Sequence, residues 1–343
     1  MTYLGNHTKS SPRPLLSNLK VKTPLSNNYP YSGISNRFLT SIRTHHSGAS
    51  SQLGHYLAGL IEGDGSIILR KGEREKTSPK IVFTFSVNEL KMFEKLQEIL
   101  NTGSINIEKE GVNKYATGAS VKKIGVCRYS ITNVDGVIKI INLVNGKFRT
   151  PKIAALHKAI DNLNKWRNAN LLKLPLDTSS LDSNAWLAGF IDSDGHFSIK
   201  LSGCYSSDDS EIRGRVRCVF SINQSEIHRV TAESNVPFMT KLAEFFQVNL
   251  NYKTEKSPNF KEPAKKVVFF AQSDRRHYII TSYLTKFPLM TSKHLNYLAF
   301  FKGLNYLGKR LTSEEILEVR ALKNSMNNKR TEYVWDHLDN FYV

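Results

Sequence analysis

The chain has 343 residues, of which 40% are hydrophobic, which is enough apolar material for a large core and about two domains. Lysine and arginine outnumber aspartate and glutamate by 48 to 30, and the resulting net charge of +18 predicts a polyanionic partner, either nucleic acid or an acidic membrane surface. No apolar run approaches the about 18 residues of a membrane span, which argues against an integral membrane protein. The three cysteines are widely spaced and form no CxxC pair, so neither a disulfide framework nor a zinc site is predicted.

Residues 1–52 are predicted to form a basic extension without regular structure. No aspartate or glutamate precedes Glu62, and Ser, Thr, Asn and Pro dominate the segment. A segment of this composition buries too little apolar surface to fold by itself. The alternatives are an organellar transit peptide, which is Ser-rich and poor in acidic residues, and upstream coding sequence translated in frame.

Two similar segments, 57–66 and 187–196, indicate an internal duplication. They read LAGLIEGDGS and LAGFIDSDGH, and the same landmarks follow each of them in the same order. The landmarks are FSVNE at 85–89 with FSINQ at 220–224, and FRTPK at 148–152 with LMTSK at 289–293. A duplication of this kind is typical of paired domains rather than of a solenoid.

In chain order, the periodicities predict helix, hairpin, helix, hairpin and helix in each copy. The first copy has a motif helix from near Ser51, a strand at 81–87 and a closing helix at 153–166. The second copy has a motif helix from near Asp182 or Ser183 and strands at 197–201 and 216–222. Both motif helices are expected to stop at Asp-Gly, with glycine as the exit signal. In the tail, Thr312 opens a capping box for a further helix.

These elements divide the chain into five parts. The basic extension at 1–52 is followed by a first repeat at 53–166, a linker at 167–181, a second repeat at 182–310 and a helical tail at 311–343. The linker contains Pro175 and a Thr-Ser-Ser run, which are typical of a connecting segment. In both repeats, the alternating strands predict a sheet with one face packed on helices and the other face polar and basic.

Small residues on one face of each motif helix predict close packing of the two helices. They are Gly59 and Gly63 in the first copy and Gly189 and Ser193 in the second. Residues one turn apart share a face, and small side chains let two helix backbones approach. Such packing would bring the two helix C-termini together, and with them Asp64 and Asp194.

Asp64 and Asp194 would then meet where each helix dipole presents its negative end, which is unfavourable without a cation. A hard divalent cation with oxygen ligands is the natural complement, and magnesium would suit phosphodiester cleavage. The alternative is that each Asp-Gly pair only ends its helix. Duplication of the motif together with its landmarks favours the functional interpretation. A calcium loop beginning at Asp192 is excluded, because the residues after Gly195 are not the oxygen ligands that it requires.

The doubled motif resembles the signature of LAGLIDADG homing endonucleases, in their single-chain, two-repeat form, and the tail is similar to that of fungal mitochondrial, intron-encoded members. The resemblance covers about residues 53–330 and implies an α+β fold. In that fold, two pseudo-symmetric αββαββα repeats form a DNA-binding saddle with the motif helices at the interface. It also implies that Asp64 and Asp194 bind the catalytic metal ions, with Gly63 and Ser193 in the same metal site. Mg²⁺ or Mn²⁺ would support cleavage, whereas Ca²⁺ would bind without supporting it.

The resemblance implies further catalytic residues at matching positions. Gln224 matches a glutamine that positions solvent, but Glu89 stands at that place in the first repeat, so the two strands are expected to be cut at unequal rates. Lys152 and Lys293 match lysines that polarise water or stabilise developing charge. The alternative for each lysine is a solvated side chain or a plain phosphate contact.

Cations on the polar faces of the hairpins are the candidates for DNA recognition. Strands in the major groove can present arginine to guanine and lysine to phosphate. The candidates are Arg70, Lys200, Arg215, Arg217, Arg275 and Arg276, with Lys71, Lys122 and Lys123 as phosphate contacts. The alternative is an ordinary solvated face.

The sequence therefore predicts a magnesium-dependent endonuclease that makes double-strand breaks in long, rare DNA sites and initiates intron mobility. The resemblance implies a mitochondrial location, and the internal duplication predicts a monomer, because two fused repeats already supply the pseudo-two-fold interface. One alternative is an RNA maturase that binds its own intron on the same fold. Another is a DNA-binding regulator without cleavage activity, which is disfavoured because both acidic motif residues are present.

Overall fold

The structure is a computed structural model that describes residues 49–70, 76–109, 111–114, 120–123, 125–203, 214–228, 231–255 and 263–342. The predicted basic extension as far as residue 48 and the candidate Lys71 lie outside these residues. Residues 49–52 belong to the first helix rather than to an irregular extension. Within the described ranges, none of the helices combines the length and apolar character that crossing a membrane requires.

The described helices and strands follow the same order in both halves of the chain, except that the first half has two additional strands. The first half contains α1 (Ala49–Gly63), β1 (Gly65–Ile68), β2 (Lys80–Ser86), α2 (Leu90–Leu100), β3 (Ser104–Glu108), β4 (Gly111–Lys114), β5 (Ser120–Lys123), β6 (Val126–Ile131), α3 (Val134–Val144) and α4 (Ile153–Arg167). The second half contains α5 (Trp186–Asp194), β7 (Gly195–Ser202), β8 (Arg215–Ser225), α6 (Val236–Phe245), β9 (Asn251–Glu255), β10 (Ala264–Ala271), α7 (Asp274–Lys286) and α8 (Lys293–Gly303). Helix α9 (Ser313–Asn324) follows in the tail, behind the predicted capping box of Thr312 and Glu315.

The described strands form two four-stranded antiparallel sheets of equivalent order, β1-β2-β6-β3 and β7-β8-β10-β9. Strands β4 and β5 pair separately as a ribbon between β3 and β6. This architecture confirms the α+β class with two pseudo-symmetric repeats. Each repeat has the expected αββαββα order and then one more helix, because α3 and α7 precede the predicted closing helices.

Both sheets bury one face against an amphipathic helix of their own repeat. In the first repeat, Phe93 of α2 packs against Phe83 and Tyr129, with ring centroids 6.1 and 5.9 Å away. In the second, Phe246 follows α6 and lies 5.3 Å from both Phe220 and Phe269. These apolar positions alternate along the strands, which is why the period of two predicted them.

One local expectation was wrong. Helix α5 begins at Trp186 rather than near Asp182 or Ser183, because residues 180–183 form a tight turn and the Asn184 side chain accepts from the Trp186 N–H. Both motif helices end at Asp-Gly as expected, and Gly195 follows α5 in an extended conformation with a φ of −72°. A glycine is required there for space: a Cβ would lie 2.6 Å from the Ile191 side chain and 2.8 Å from its carbonyl oxygen.

The tail after α9 bridges the two repeats. Asn88 of the first repeat donates to the Tyr333 hydroxyl over 2.8 Å, and Tyr56 packs against Phe341 at 5.7 Å between ring centroids. On the side of the second repeat, the His337 ring nitrogen lies 3.1 Å from the carbonyl oxygen of Met290. The tail therefore adds to the interface that α1 and α5 begin.

Candidate active site

The motif helices α1 and α5 touch through their backbones. A Cβ on Gly59 would lie 2.0 Å from the carbonyl oxygen of Trp186, and one on Gly189 would lie 2.0 Å from that of Tyr56. Both distances are far below van der Waals contact, so only glycine permits this approach. The predicted small-residue face is thus the contact between the helices.

The close approach continues to the C-terminal ends of the helices. A Cβ on Gly63 would lie 2.2 Å from Ser193 Cβ and 2.8 Å from an Asp194 carboxylate oxygen. Ser193 turns its hydroxyl back to the carbonyl oxygens of Leu60 and Gly189. Asp64 and Asp194 consequently meet at this end, where Asp194 is half-buried.

The electrostatics of the carboxylate pair reflect this crowding. Burial and then the charge of Asp64 raise the pKa of Asp194 to about 7. Partial burial also raises the pKa of Asp64, against the opposing charges of Lys293 and Lys152. One oxygen of Asp194 is buried without a hydrogen-bond partner and could therefore accept a cation as its ligand.

The two predicted lysines bind to the ends of the motif helices. Lys152 Nζ donates to the carbonyl oxygens of Ile61, Gly63 and Gly65, at 2.9 to 3.0 Å. Lys293 Nζ donates equivalently in the second repeat, to Ile191 and Ser193, at 2.9 and 2.8 Å. A cation at a helix C-terminus is favoured by the helix dipole.

Burial lowers the pKa of both lysines, whereas the surrounding carboxylates raise it. Lys152 and Lys293 therefore place positive charge near Asp64 and Asp194. These contacts also occupy the carbonyls of Gly63 and Ser193, the two backbone positions predicted to belong to the metal site.

Glu62 holds the lysine segment of the first repeat. It accepts from the backbone N–H groups of Arg149 and Thr150, from the Thr150 hydroxyl at 2.6 Å, and from the Trp186 indole N–H at 2.6 Å. Burial raises its pKa to about 7 despite these hydrogen bonds. Because its oxygens are occupied, Glu62 holds Lys152 in position and connects α1 to the start of α5.

Asp192 does the same in the second repeat. It accepts from the Met290 N–H at 2.7 Å, from the Thr291 hydroxyl at 2.5 Å and from the Tyr56 hydroxyl at 2.8 Å. Each acidic residue thus binds one aromatic donor of the opposite motif helix. The sequence shows these residues two places before Asp64 and Asp194, but it does not show that they contact aromatic residues more than a hundred positions away.

Tyr56→Phe is expected to lower the free energy of unfolding by about 1–3 kcal/mol, because Asp192 would lose a buried hydrogen bond. Denaturant unfolding of the variant measures this loss. Tyr278→Phe is the matched control, since Tyr278 is 64% exposed. Equal stability of the two variants would contradict the structural role of the Tyr56–Asp192 bond.

The solvent-positioning candidates occupy different surroundings. Gln224, near the end of β8, hydrogen-bonds the Asp194 carboxylate. Glu89 is only 8% exposed, and it accepts from the backbone N–H of Ser292 at 2.8 Å and from the Ser292 hydroxyl. Glu89 and Asp64 both line a cleft of about 160 Å³. The two equivalent positions therefore have different partners: Gln224 bonds the metal-ligand candidate Asp194, whereas Glu89 bonds Ser292 of the other repeat.

The donor set suits magnesium. Within the described ranges, no cluster of three or more His, Cys, Asp or Glu side chains is arranged to hold a metal ion. Two carboxylates, one with an unpartnered buried oxygen, match a magnesium site that keeps water and phosphate oxygens as its other ligands. Asp64 and Asp194 would hold such an ion.

Three of the predicted DNA-binding cations lie together on the second sheet. Lys200 on β7 is paired in register with Arg217 on β8, and Ser202 with Arg215. All three cations are exposed on the face opposite the buried Phe197 and Ile199. In the first repeat, Arg70 is exposed just after β1. Lys122 and Lys123 are the last two residues of β5.

The placement of Arg275 and Arg276 on a hairpin was wrong. Strand β10 ends at Ala271, and both arginines lie in the first turn of α7. Arg276 donates from Nε to the carbonyl oxygen of Gln247, at 2.9 Å, which anchors the helix to the preceding segment. Sequence reasoning also missed Arg128, which the register of β6 with β2 places on the outer face of the first sheet, 2.5 Å from Glu108. The alternation of β6 could have revealed it.

A duplicated α+β fold with paired glycine-packed helices and converging carboxylates defines a class of DNA-cutting proteins, and the comparisons with known proteins agree. The LAGLIDADG endonuclease family matches residues 57–163 and 187–304, and the chain belongs to this family.

Individual relatives and structures support the assignment. The chain is 29% identical to the intron-encoded DNA endonuclease aI3 of Saccharomyces cerevisiae, over 85% of this chain and 74% of the relative. It is 27% identical to the intron-encoded RNA maturase bI4 of the same yeast, but over only 52% of this chain and 23% of the relative. The crystal structure of the LAGLIDADG homing endonuclease I-GzeII in complex with its DNA target is similar in fold. Its TM-score is 0.53 at 17% identity, over 81% of this chain and 99% of that one.

Proposed function

We propose that this protein is a site-specific homing endonuclease that cuts both strands of a long DNA target and initiates mobility of its intron. The observation that carries the proposal is the doubled centre: each repeat brings an acidic residue and a helix-capping lysine to one interface. Two equivalent centres suit one scissile phosphate on each strand. Family membership and the similarity to an intron-encoded DNA endonuclease support the same activity.

The side chains of the site would have two roles: the aspartates bind a cation, and the lysines balance the negative charge of the phosphate. A bound divalent ion supplies a Lewis acid and lowers the pKa of water, and Mg²⁺ or Mn²⁺ would serve, whereas Ca²⁺ would bind without supporting cleavage. Asp64 and Asp194 would hold the divalent cations, and Gln224 orients the Asp194 carboxylate through its hydrogen bond. Lys152 and Lys293 supply fixed positive charge near the negative phosphate.

The proposal includes the partners and the setting of the reaction. The exposed cations of the second sheet would contact double-stranded DNA, and the two repeats in one chain would act as a monomer. A mitochondrial location follows from the family resemblance. The whole chain carries a net charge of +18, so the electrostatic attraction to DNA does not depend on the second sheet alone.

The test is cleavage of a supercoiled plasmid that carries the uninterrupted host-gene allele. A linear product that needs Mg²⁺, disappears with EDTA and is absent from a plasmid with the intron-split allele is expected. Tight binding without cleavage would contradict the nuclease proposal and indicate a regulator.

An RNA maturase is the second candidate, because one relative that matches half of this chain is named as one. Binding of the intron RNA does not by itself require metal-binding carboxylates, so the intact pair of Asp64 and Asp194 favours the nuclease. Specific binding of intron RNA, together with no preference for the allele DNA, would reverse the order of the two candidates.

Replacing Lys200, Arg215 and Arg217 by glutamine is expected to weaken DNA binding and to lower the salt dependence of the affinity. If the three cations meet phosphates, the slope of log affinity against log salt falls by about 2 to 3, because each neutralised phosphate contributes about 0.9. Lys91→Gln is the control, since Lys91 lies on α2, 3.0 Å from Glu94. Fluorescence anisotropy at several salt concentrations measures the slopes. Unchanged slopes in the triple variant would exclude this face from phosphate contact.

A further inference from the structure

Glu89 of the first repeat binds the residue that precedes the lysine of the second repeat. Its carboxylate accepts from the backbone N–H of Ser292, at 2.8 Å, and from the hydroxyl of the same residue. Ser292 is the cap residue of α8, and Lys293 is the first residue of that helix. The contact therefore crosses the repeat interface and ends one residue from the ammonium group that caps α5.

The corresponding pair in the other direction differs in both members. Gln224 occupies the position of Glu89, and Pro151 occupies the position of Ser292. Proline has neither an N–H nor a hydroxyl to donate. The Glu89 carboxylate is thus matched with Ser292, which has two donors. The Gln224 amide is matched with Pro151, which has none. Glutamate at position 89, where the second repeat has glutamine, therefore matches the donors of Ser292 and is more than the loss of a glutamine.

The consequence falls on the position of Lys293. Both lysine segments are held by the acidic residue of their own motif helix, Glu62 for one and Asp192 for the other. Among the described residues, Glu89 hydrogen-bonds the segment before Lys293 and not the segment before Lys152. Because Ser292 and Lys293 are consecutive, fixing the Ser292 backbone fixes where the lysine stem starts.

We propose that Glu89 is a positioning residue for Lys293, which it holds across the repeat interface through Ser292. The first repeat thereby controls the lysine of the second, and the strand that depends on Lys293 depends on Glu89 as well. This inference rests on the proposed nuclease function. It differs from a direct action of Glu89 on solvent in the cleft, which would not require Ser292.

The test combines variants of both partners, and the backbone permits them. Ser292 has a φ of −58°, which proline adopts readily, and the first repeat carries Pro151 at the equivalent position after the same residue type, so Ser292→Pro removes both donors with a residue that this segment accepts. Glu89→Leu removes both acceptors at similar size. Glu89→Gln keeps one acceptor for the Ser292 N–H and can donate to its hydroxyl, and Ser292→Thr keeps both donors. Glu94→Gln, on the exposed face of α2, is the matched control.

Single-turnover cleavage of the host-allele DNA with Mg²⁺, with each strand labelled separately, gives the two strand rates. Glu89→Leu and Ser292→Pro are each expected to slow the same strand about ten- to a hundredfold relative to the other, since misplacement of a catalytic group by about 1 Å has effects of this size. The double variant is expected to be no slower than either single variant. Glu89→Gln and Ser292→Thr are expected to stay within about threefold of the wild-type strand ratio.

A second measurement does not depend on activity. Hydrogen exchange of the segment 290–295 in EDTA is expected to accelerate in Glu89→Leu and to stay unchanged in Glu94→Gln. Multiplying effects of Glu89→Leu and Ser292→Pro on the strand rates, or equal slowing of both strands, would overturn the positioning role. If the wild-type protein cuts neither strand, the proposed nuclease function itself fails, and this result is distinct from a change in strand ratio.

Discussion

Asp64→Asn and Asp194→Asn are each expected to abolish double-strand cleavage, with a loss of at least about a thousandfold, while the affinity for DNA changes little. The reason is that the amide lacks the negative charge that holds a divalent cation beside the scissile phosphate. The two carboxylates already lie close enough to interact, because Gly63 has no side chain to hold the ends of the motif helices apart. Plasmid linearisation and anisotropy, measured on the same preparations, give the two quantities.

Asp161→Asn is the matched control, since Asp161 lies on the exposed side of α4 and pairs with Lys173 at 2.9 Å. Normal cutting of both strands by either motif variant would refute the assignment of that aspartate as a metal ligand. Loss of cleavage in the control would indicate that the assay reports folding rather than chemistry.

The same pair predicts how stability depends on pH without metal. Burial and the neighbouring charge raise the pKa of Asp194 to about 7, and burial raises that of Glu62 to about 7. A carboxyl group with a raised pKa binds its proton more tightly in the folded protein than in the unfolded chain. The stability that it contributes is therefore complete below its unfolded pKa, about 4, and is lost as pH rises through about 7.

In EDTA, the wild-type protein is thus expected to lose stability relative to Asp194→Asn as the pH rises from about 4 to about 7. The two proteins are compared at each pH because His55 and His294, whose pKa values burial lowers to about 4 and about 3, change the stability in the opposite direction over the same range. At pH 8, Ca²⁺ should raise the melting temperature of the wild-type protein and not that of Asp194→Asn. An identical response of both proteins to Ca²⁺ would exclude Asp194 from the cation site.

Gly59→Ala is expected to lower the free energy of unfolding by about 3 kcal/mol or more, which is a large effect for one methyl group. Its Cβ would lie 2.0 Å from the Trp186 carbonyl oxygen and 2.7 Å from the Phe190 backbone nitrogen. Both atoms belong to the backbone of α5, so relief requires the two motif helices to separate. Separation would also move Asp64 away from Asp194, and cleavage should fall together with stability.

Gly111→Ala is the control for this substitution, because no atom lies within 4 Å of its added Cβ. Denaturant unfolding and plasmid cleavage of both variants provide the comparison. If Gly59→Ala is as stable as Gly111→Ala, the helices do not depend on backbone contact at Gly59. Gly189→Ala is expected to match Gly59→Ala, since its Cβ would lie 2.0 Å from the Tyr56 carbonyl oxygen.

Much of the fold was predictable because its signals are local. Alternation along β2 and β7 shows in any short window, and so does the capping box before α9. Strand β8 departs from the expected alternation, because residues 218–222 are all buried. The duplication added what a single window lacks, since two motif copies with ordered landmarks indicated paired repeats. Helix α3 was missed, because the predicted repeat has one helix after the second hairpin and 153–166 was assigned to it; the cap of α3, where Asn133 accepts from the Gly136 N–H at 2.6 Å, was a local signal for it.

The candidate site was predictable in its members and not in its contacts. Asp64, Asp194, Lys152 and Lys293 could be named from the paired motifs, and the structure brings all four to one interface. Their roles as metal ligands and charge partners stay predictions. The sequence did not indicate that the lysine tips bind the carbonyl oxygens of the motif helices, and it placed Arg275 and Arg276 on a strand instead of α7.

The sequence by itself therefore determined the class of fold, the duplication and the four charged residues at its centre, because residues that are neighbours in sequence encode helices, strands and motifs. Only the tertiary structure decided which side chains meet across the interface. Glu89 and Ser292 are 203 residues apart, and Tyr56 and Asp192 are 136 apart. Their contacts depend on how closely α1 and α5 pack, which is a property of the whole fold and of the space that Gly59 and Gly189 leave free.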